Sequence, residues 1–185
     1  MAAFTKRQRN TVKKVPILKL PKSRLNLIFL LLIITFTLVS RVIFLDQFPI
    51  GITHDELNYI ISAKSLFWDK SFAPGTAPAI LPTKMSNYTV TVAEVPTFIL
   101  SATTSFFPLS LFTGRIVGAI FSIITAILLY LLTKRITNND KTALISSLLF
   151  AINPWGFLMG RSIFEVNFYV VFFLLGLLIL IKQQD

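Results

Sequence analysis

What most constrains this chain is the apolar run over residues 25–45, interrupted by a single charge, Arg41, and preceded by a basic block. A helix needs about 20 predominantly apolar residues to cross roughly 30 Å of hydrocarbon, so the run is long enough for one span. It exceeds the roughly 7–15-residue apolar core of a secretory signal, and no small-x-small cleavage pattern follows it. It therefore reads as a retained anchor. Eight of the 18 basic residues lie in the first 24 positions, with no acid among them. A basic block beside an apolar run holds the N-terminus on the cytoplasmic side. That placement accounts for the net charge of +10, and no nucleic-acid partner is expected.

Composition extends the argument to the whole chain. Hydrophobic residues make up 54% and charged residues 14%, against about 25% charged in soluble domains. Too little polar surface remains to coat a water-soluble globule. Cysteine is absent, so neither a disulfide framework nor a thiolate metal site exists. Further apolar runs cover residues 95–112, 116–133, 142–159 and 166–182. The run 95–112 carries Pro96, Pro108 and the hydroxyls of Ser101, Thr103, Thr104 and Ser105. If it dips into the outer leaflet without crossing, Lys134, Arg135 and Lys141 fall on the cytoplasmic side. Five of the eight acids then share one external loop.

The expected fold is thus all-α: a polytopic, multi-pass helical membrane protein. It has a basic cytoplasmic tail (1–24), four transmembrane helices (25–45, 116–133, 142–159, 166–182) and a long external loop (46–114). Within that loop Leu57, Ile60, Ile61, Leu66 and Phe67 have helical spacing, which predicts an amphipathic surface helix over residues 56–68. His54 or Asp55 is placed to cap its start.

The sharpest local feature is Thr53-His54-Asp55-Glu56, just beyond Pro49 and Gly51. An acid at the mouth of an apolar cavity suits general-base work. The plainer reading makes Asp55 a cap and Glu56 a favourable charge at the helix start. No metal or other cofactor is expected, since three neighbouring residues rarely all face one ion. Arg41 and Arg115 sit at the outer ends of their spans, either snorkelling to the interface or gripping a lipid phosphate, with Lys84 as a further point charge. Arg161 and Glu165, at i and i+4, read as a helical salt bridge or as a second external site. Asn153-Pro154-Trp155 marks a break or kink.

Taken in order, these residues resemble the N-terminal part of GT-C class glycosyltransferases. The closer likeness is to protein O-mannosyltransferases and their bacterial relatives, including the lipid A aminoarabinose transferases. It is carried by Arg41, Asp46, Pro49, Gly51, Asp55-Glu56, Tyr59 and Ala63, then Arg115, Gly118 and Tyr130. Asn153-Pro154-Trp155, Gly160-Arg161 and Phe164-Glu165-x-Asn167 continue it. The resemblance implies a polyprenyl-phosphate sugar donor, a protein or lipid acceptor and inverting transfer on the non-cytoplasmic face of the cell membrane. Asp55 would be the base and Glu56 its support, with Arg115, Lys84 and Arg41 at the lipid phosphate. The Lys-Pro-Pro of the aminoarabinose transferases is replaced here by Lys84-Met85-Ser86. Such enzymes carry many more spans, so a truncated chain without activity of its own is expected. The competing reading is a non-catalytic membrane subunit or transporter segment.

Overall fold

The computed structural model describes residues 23–70, 76–78 and 90–183. Its elements run α1 (Arg24–Val42), α2 (His54–Trp68), β1 (Thr76–Pro78), β2 (Val90–Val92), α3 (Glu94–Thr103), α4 (Leu111–Thr137), α5 (Asp140–Ile152), α6 (Pro154–Met159) and α7 (Glu165–Gln183). The architecture is helical. The two three-residue strands pair in parallel, Thr76 opposite Val90. Among the described residues two helices, α1 and α4, are long and apolar enough to cross a membrane; α7 is a shorter apolar helix.

α4 is the axis of the fold and packs against α1, α5 and α7. The Ser110 hydroxyl and Thr113 cap its start reciprocally. Its last turn carries Lys134 and Arg135, which suit the negative end of the helix dipole. Asn138, left-handed at φ 53°, ends it, and the Asn139 side chain starts α5 by accepting from the Lys141 amide at 2.9 Å. On the other flank, Gly118 lets the chain after α6 lie against α4. A Cβ there would fall 2.5 Å from the Ser162 carbonyl oxygen.

The apolar run 142–159 is not one helix. Pro154 lacks an amide proton and forces the residue before it into an extended conformation, so Asn153 sits at ψ 123°. Asn153 then caps α6, accepting from Trp155 N at 2.8 Å. The 13 residues of α5 reach about 20 Å, short of a bilayer's roughly 30 Å. In the run 95–112, α3 stops after ten residues, about 15 Å. The hydroxyls of Thr103 and Thr104 both donate to the Leu100 carbonyl, at 2.6 and 3.2 Å, which competes with continuation of the helix.

α2 appears where the spacing predicts a helix, with two corrections. Its cap is Thr53, not His54 or Asp55: the Thr53 side chain accepts from Glu56 N, while the Glu56 carboxylate accepts from Thr53 N. Its buried face is Glu56, Tyr59, Ile60, Ser62 and Ala63, whereas Leu57 and Ile61 are exposed. Tyr59, Ile60 and Ala63 join Val92, Leu100, Val117, Ile163 and Phe168 in the core cluster that seats α2 against the heads of α4 and α7.

Candidate active site

Beyond α1 the chain turns back over residues 43–53, through Phe44 at φ 52°, a cis Phe48–Pro49 bond and Gly51 at φ 79°. A segment this irregular leaves its carbonyls without secondary-structure partners. Two arginines from distant parts of the chain supply them. Arg161 donates to the carbonyls of Ser40 (2.7 Å), Phe44 (3.0 Å) and Phe48 (2.9 Å). Arg115, from the second turn of α4, donates to Pro49 (3.0 Å), Leu45 (3.4 Å) and Gly51 (2.7 Å).

The rest of Arg115 meets Glu56. Nε lies 2.9 Å from Oε1 and Nη2 lies 3.1 Å from Oε2, a two-pronged ion pair with both side chains essentially inaccessible. The same carboxylate accepts from Thr53 N and, at 3.3 Å, from Ile163 N. Glu56 thereby ties the start of α2 to α4 and to the segment leading into α7. Burial alone would push its carboxyl up. The Arg115 guanidinium and the two backbone amides outweigh that and hold it below the ordinary carboxylate range.

The adjacent acids therefore have opposite fates. Glu56 is buried and fully partnered, while Asp55 is exposed on the first turn of α2. One turn on, the Tyr59 hydroxyl donates to Glu165 Oε2 at 2.9 Å and accepts from Ala93 N at 3.4 Å. Burial first, and then the Glu165 carboxylate, push the Tyr59 phenol well above its usual range, with a smaller contribution from Asp55. Asp55, Tyr59 and Glu165 thus share one neighbourhood at the N-terminal end of α7.

The structure separates other residues that the sequence groups together. Arg161 and Glu165 do not pair: Arg161 precedes α7 and holds the 43–53 turn, and Glu165 takes the Tyr59 proton donor. Arg115 is not at an open anion site, because its five N–H groups meet five protein acceptors. Arg41 does not snorkel; it is fully buried and donates through Nη1 to Ala151 O and Ser40 Oγ, both at 2.8 Å. Lys84 lies outside the described residues. Among the described residues no three His, Asp or Glu converge as a metal site. Sequence reasoning missed Thr53 as the organiser of the acid pair, although Thr53-x-x-Glu56 has the spacing of a capping box.

Residues 92–183 match the family model for dolichyl-phosphate-mannose-protein mannosyltransferases. This is a family of membrane glycosyltransferases. The matched stretch runs from β2 through α7, so it takes in Arg115, Arg161 and Glu165 but stops short of Arg41, Asp55 and Glu56. No curated protein and no solved structure matches the chain.

Proposed function

We propose that this chain forms the N-terminal transmembrane part of a glycosyltransferase using a polyprenyl-phosphate-linked sugar, with Asp55 as general base. The observation that carries the reading is the split of the acid pair. Glu56 is consumed by Arg115 and the Thr53 cap, leaving Asp55 as the exposed carboxylate at the turn those contacts hold. In the reaction, Asp55 takes the proton of the acceptor's hydroxyl or amine as that atom bonds to the anomeric carbon. The bond from that carbon to the phosphate oxygen breaks, and the lipid phosphate leaves with the electron pair. Attack opposite the leaving group inverts the centre. Glu56 supports the base by position, and Tyr59 with Glu165 forms the facing wall. The match over residues 92–183 supports the transferase class, and the resemblance around Asp55 supports the site.

Asp55→Asn keeps size and charge-free hydrogen bonding but removes the base. In the full-length protein, turnover with a polyprenyl-phosphate sugar should fall by roughly 10²–10⁴-fold while membrane insertion and thermal stability hold. Near-normal turnover would rule Asp55 out as the base.

The same reading places the N-terminus and the α4–α5 turn in the cytoplasm, and α2 with Asp55 outside. Its support is the loop charge pattern: Lys134, Arg135 and Lys141 cluster at one turn, five acids at the opposite end. A cysteine introduced at Asn138 should resist an impermeant thiol reagent in intact cells and react once they are opened, whereas one at Asp69 should react at once. Labelling of Asn138 from outside would invert the topology.

A further inference from the structure

Leu30 of α1 packs with Ala143 of α5, and Arg41 reaches Ala151, so the two helices run in the same direction with their first turns side by side. They do not close against each other on every side. A groove of about 540 Å³ opens between them, with Phe29, Leu32 and Phe36 on its α1 wall and Ile145 and Leu148 on its α5 wall. Its polar lining side chains, Asn26 and Lys141, both belong to those first turns. From Asn26 to Phe36 the α1 wall rises about 15 Å, half of the roughly 30 Å of a hydrocarbon core. The groove is an apolar slot one leaflet deep with a polar mouth.

Charge and size narrow what fills it. Arg24, just before the lining begins, and Lys141 are exposed, and among the described residues neither belongs to an ion pair. The acid beside Lys141, Asp140, is committed to Lys134 and Tyr130. The basic block of residues 1–24 leads directly into this end of α1, so the mouth is cationic. Small-ligand sites enclose about 300–1,000 Å³, and a groove of about 540 Å³ falls among them. By contrast, 15 Å of an α-helix 10–12 Å wide fills more than roughly 1,000 Å³ and would ride on the rim.

We infer that the α1–α5 groove is a binding site for an anionic glycerophospholipid of the leaflet that faces the basic tail. One acyl chain lies along residues 29–36 of α1, and the anionic headgroup meets Lys141 and Arg24 at the mouth. Such a lipid braces α1 against α5, so its binding adds to the stability of the folded chain. The site lies at the opposite end of α1 from Arg41 and from the turn that leads to Asp55. It therefore stands whether or not the chain is a transferase.

The test reads lipid binding and not turnover, so its failure leaves the transferase assignment untouched. The full-length protein, purified in neutral detergent and stripped of lipid, is unfolded by heat with phosphatidylglycerol or with phosphatidylcholine carrying the same acyl chains. Phosphatidylglycerol should raise the unfolding midpoint by several degrees and bind about tenfold more tightly than phosphatidylcholine. Lys141→Gln should cut that preference about fivefold. Ile145→Trp fills the groove and should abolish the rise with either lipid while leaving the lipid-free midpoint near the parent's. The double variant Lys13→Gln, Lys14→Gln removes tail charge outside the site and should keep the preference. No rise with phosphatidylglycerol, or an equal rise with both lipids, overturns the site without any variant having to fold. An undiminished rise in Ile145→Trp, or a preference lost in the tail variant, overturns it as well. Full displacement of phosphatidylglycerol by equimolar farnesyl phosphate would hand the groove to an isoprenoid chain, and a lipid-free dimer dissociated by Ile145→Trp would hand it to a second copy; either result overturns the phospholipid.

Discussion

The two ends of α4 handle buried charge in opposite ways. At its C-terminal end, Lys134 meets Asp140 at 2.6 Å and Tyr130 donates to the same carboxylate at 2.9 Å. Donor and acceptor are six positions apart, joined by one tight turn, and the charges balance. At its N-terminal end, Arg115 reaches a carboxylate 59 positions away and three carbonyls of a turn further back still. Arg161 and Arg41 reach over 110 positions or more. There the charges do not balance. A local pair of this kind closes a hairpin and can be assembled as soon as the hairpin forms. A long-range set forms only once α1, α2, α4 and the segment before α7 are docked together. It therefore reports, and enforces, the assembled state. The first end fastens a hairpin; the second shapes the turn that presents Asp55.

The largest effect should follow from breaking the long-range pair. Arg115→Met strands the Glu56 carboxylate in a closed site and releases three carbonyls, and removal of one partner of a buried ion pair costs about 3–5 kcal/mol. Loss of folded protein, or a sharply lowered unfolding midpoint in detergent, is the expected result. A variant as stable as the parent would mean that the pair is dispensable. The same pair sets a pH dependence. The folded-state pKa of Glu56 lies below its ordinary value of 4.5, so the unfolded chain binds the proton more readily. This part of the stability is fully present above pH 4.5 and is lost as the pH falls through the lower folded-state value. Glu56→Gln should remove that acid sensitivity along with much of the stability, leaving a flatter profile of unfolding midpoint against pH below 4.5.

The same contrast explains what could be read from sequence. The apolar run 25–45 appears as α1, Arg24–Val42, and the run 116–133 lies inside α4, Leu111–Thr137. Caps at Ser23 and Ser110 set starts that hydropathy alone does not locate. The run 142–159 is divided by Pro154, whose effect is local and was legible as a break. The face of α2 was misjudged for a different reason. An apolar stripe marks the buried face only where the surroundings are water. Here Leu57 and Ile61 point outward, while Tyr59, Ser62 and Ala63 point in, where hydrogen bonding and close packing decide. The partners of Arg115 and Arg161 were hidden for a third reason: most are main-chain carbonyls, which no residue letter records. An Arg and a Glu at i and i+4 suggest a pair, yet Glu165 begins α7 and Arg161 lies outside it.

The smallest effect belongs to the local end, and it is the one that tests the contrast itself. Asp140→Asn leaves an acceptor for the Tyr130 hydroxyl and keeps a residue able to sit in the first turn of α5. What it removes is the charge facing Lys134. Lys134 is buried, but Asp140 remains partly accessible, at 17%, so water and salt reach one side of the pair and its loss should cost less than that of a pair closed on both sides. Lys134 also keeps its contact with Tyr130, 5.7 Å from the ring centroid, and its place at the negative end of α4. A drop of a few degrees at most in the unfolding midpoint is expected, shrinking further as salt is raised. Arg115→Met, with its pair shut away from solvent, should show no such salt relief. If Asp140→Asn instead proved as damaging as Arg115→Met and equally indifferent to salt, sequence separation would not be what distinguishes the two ends. The α4–α5 hairpin would then be as much a keystone of the assembled fold as the 43–53 turn that leads into α2.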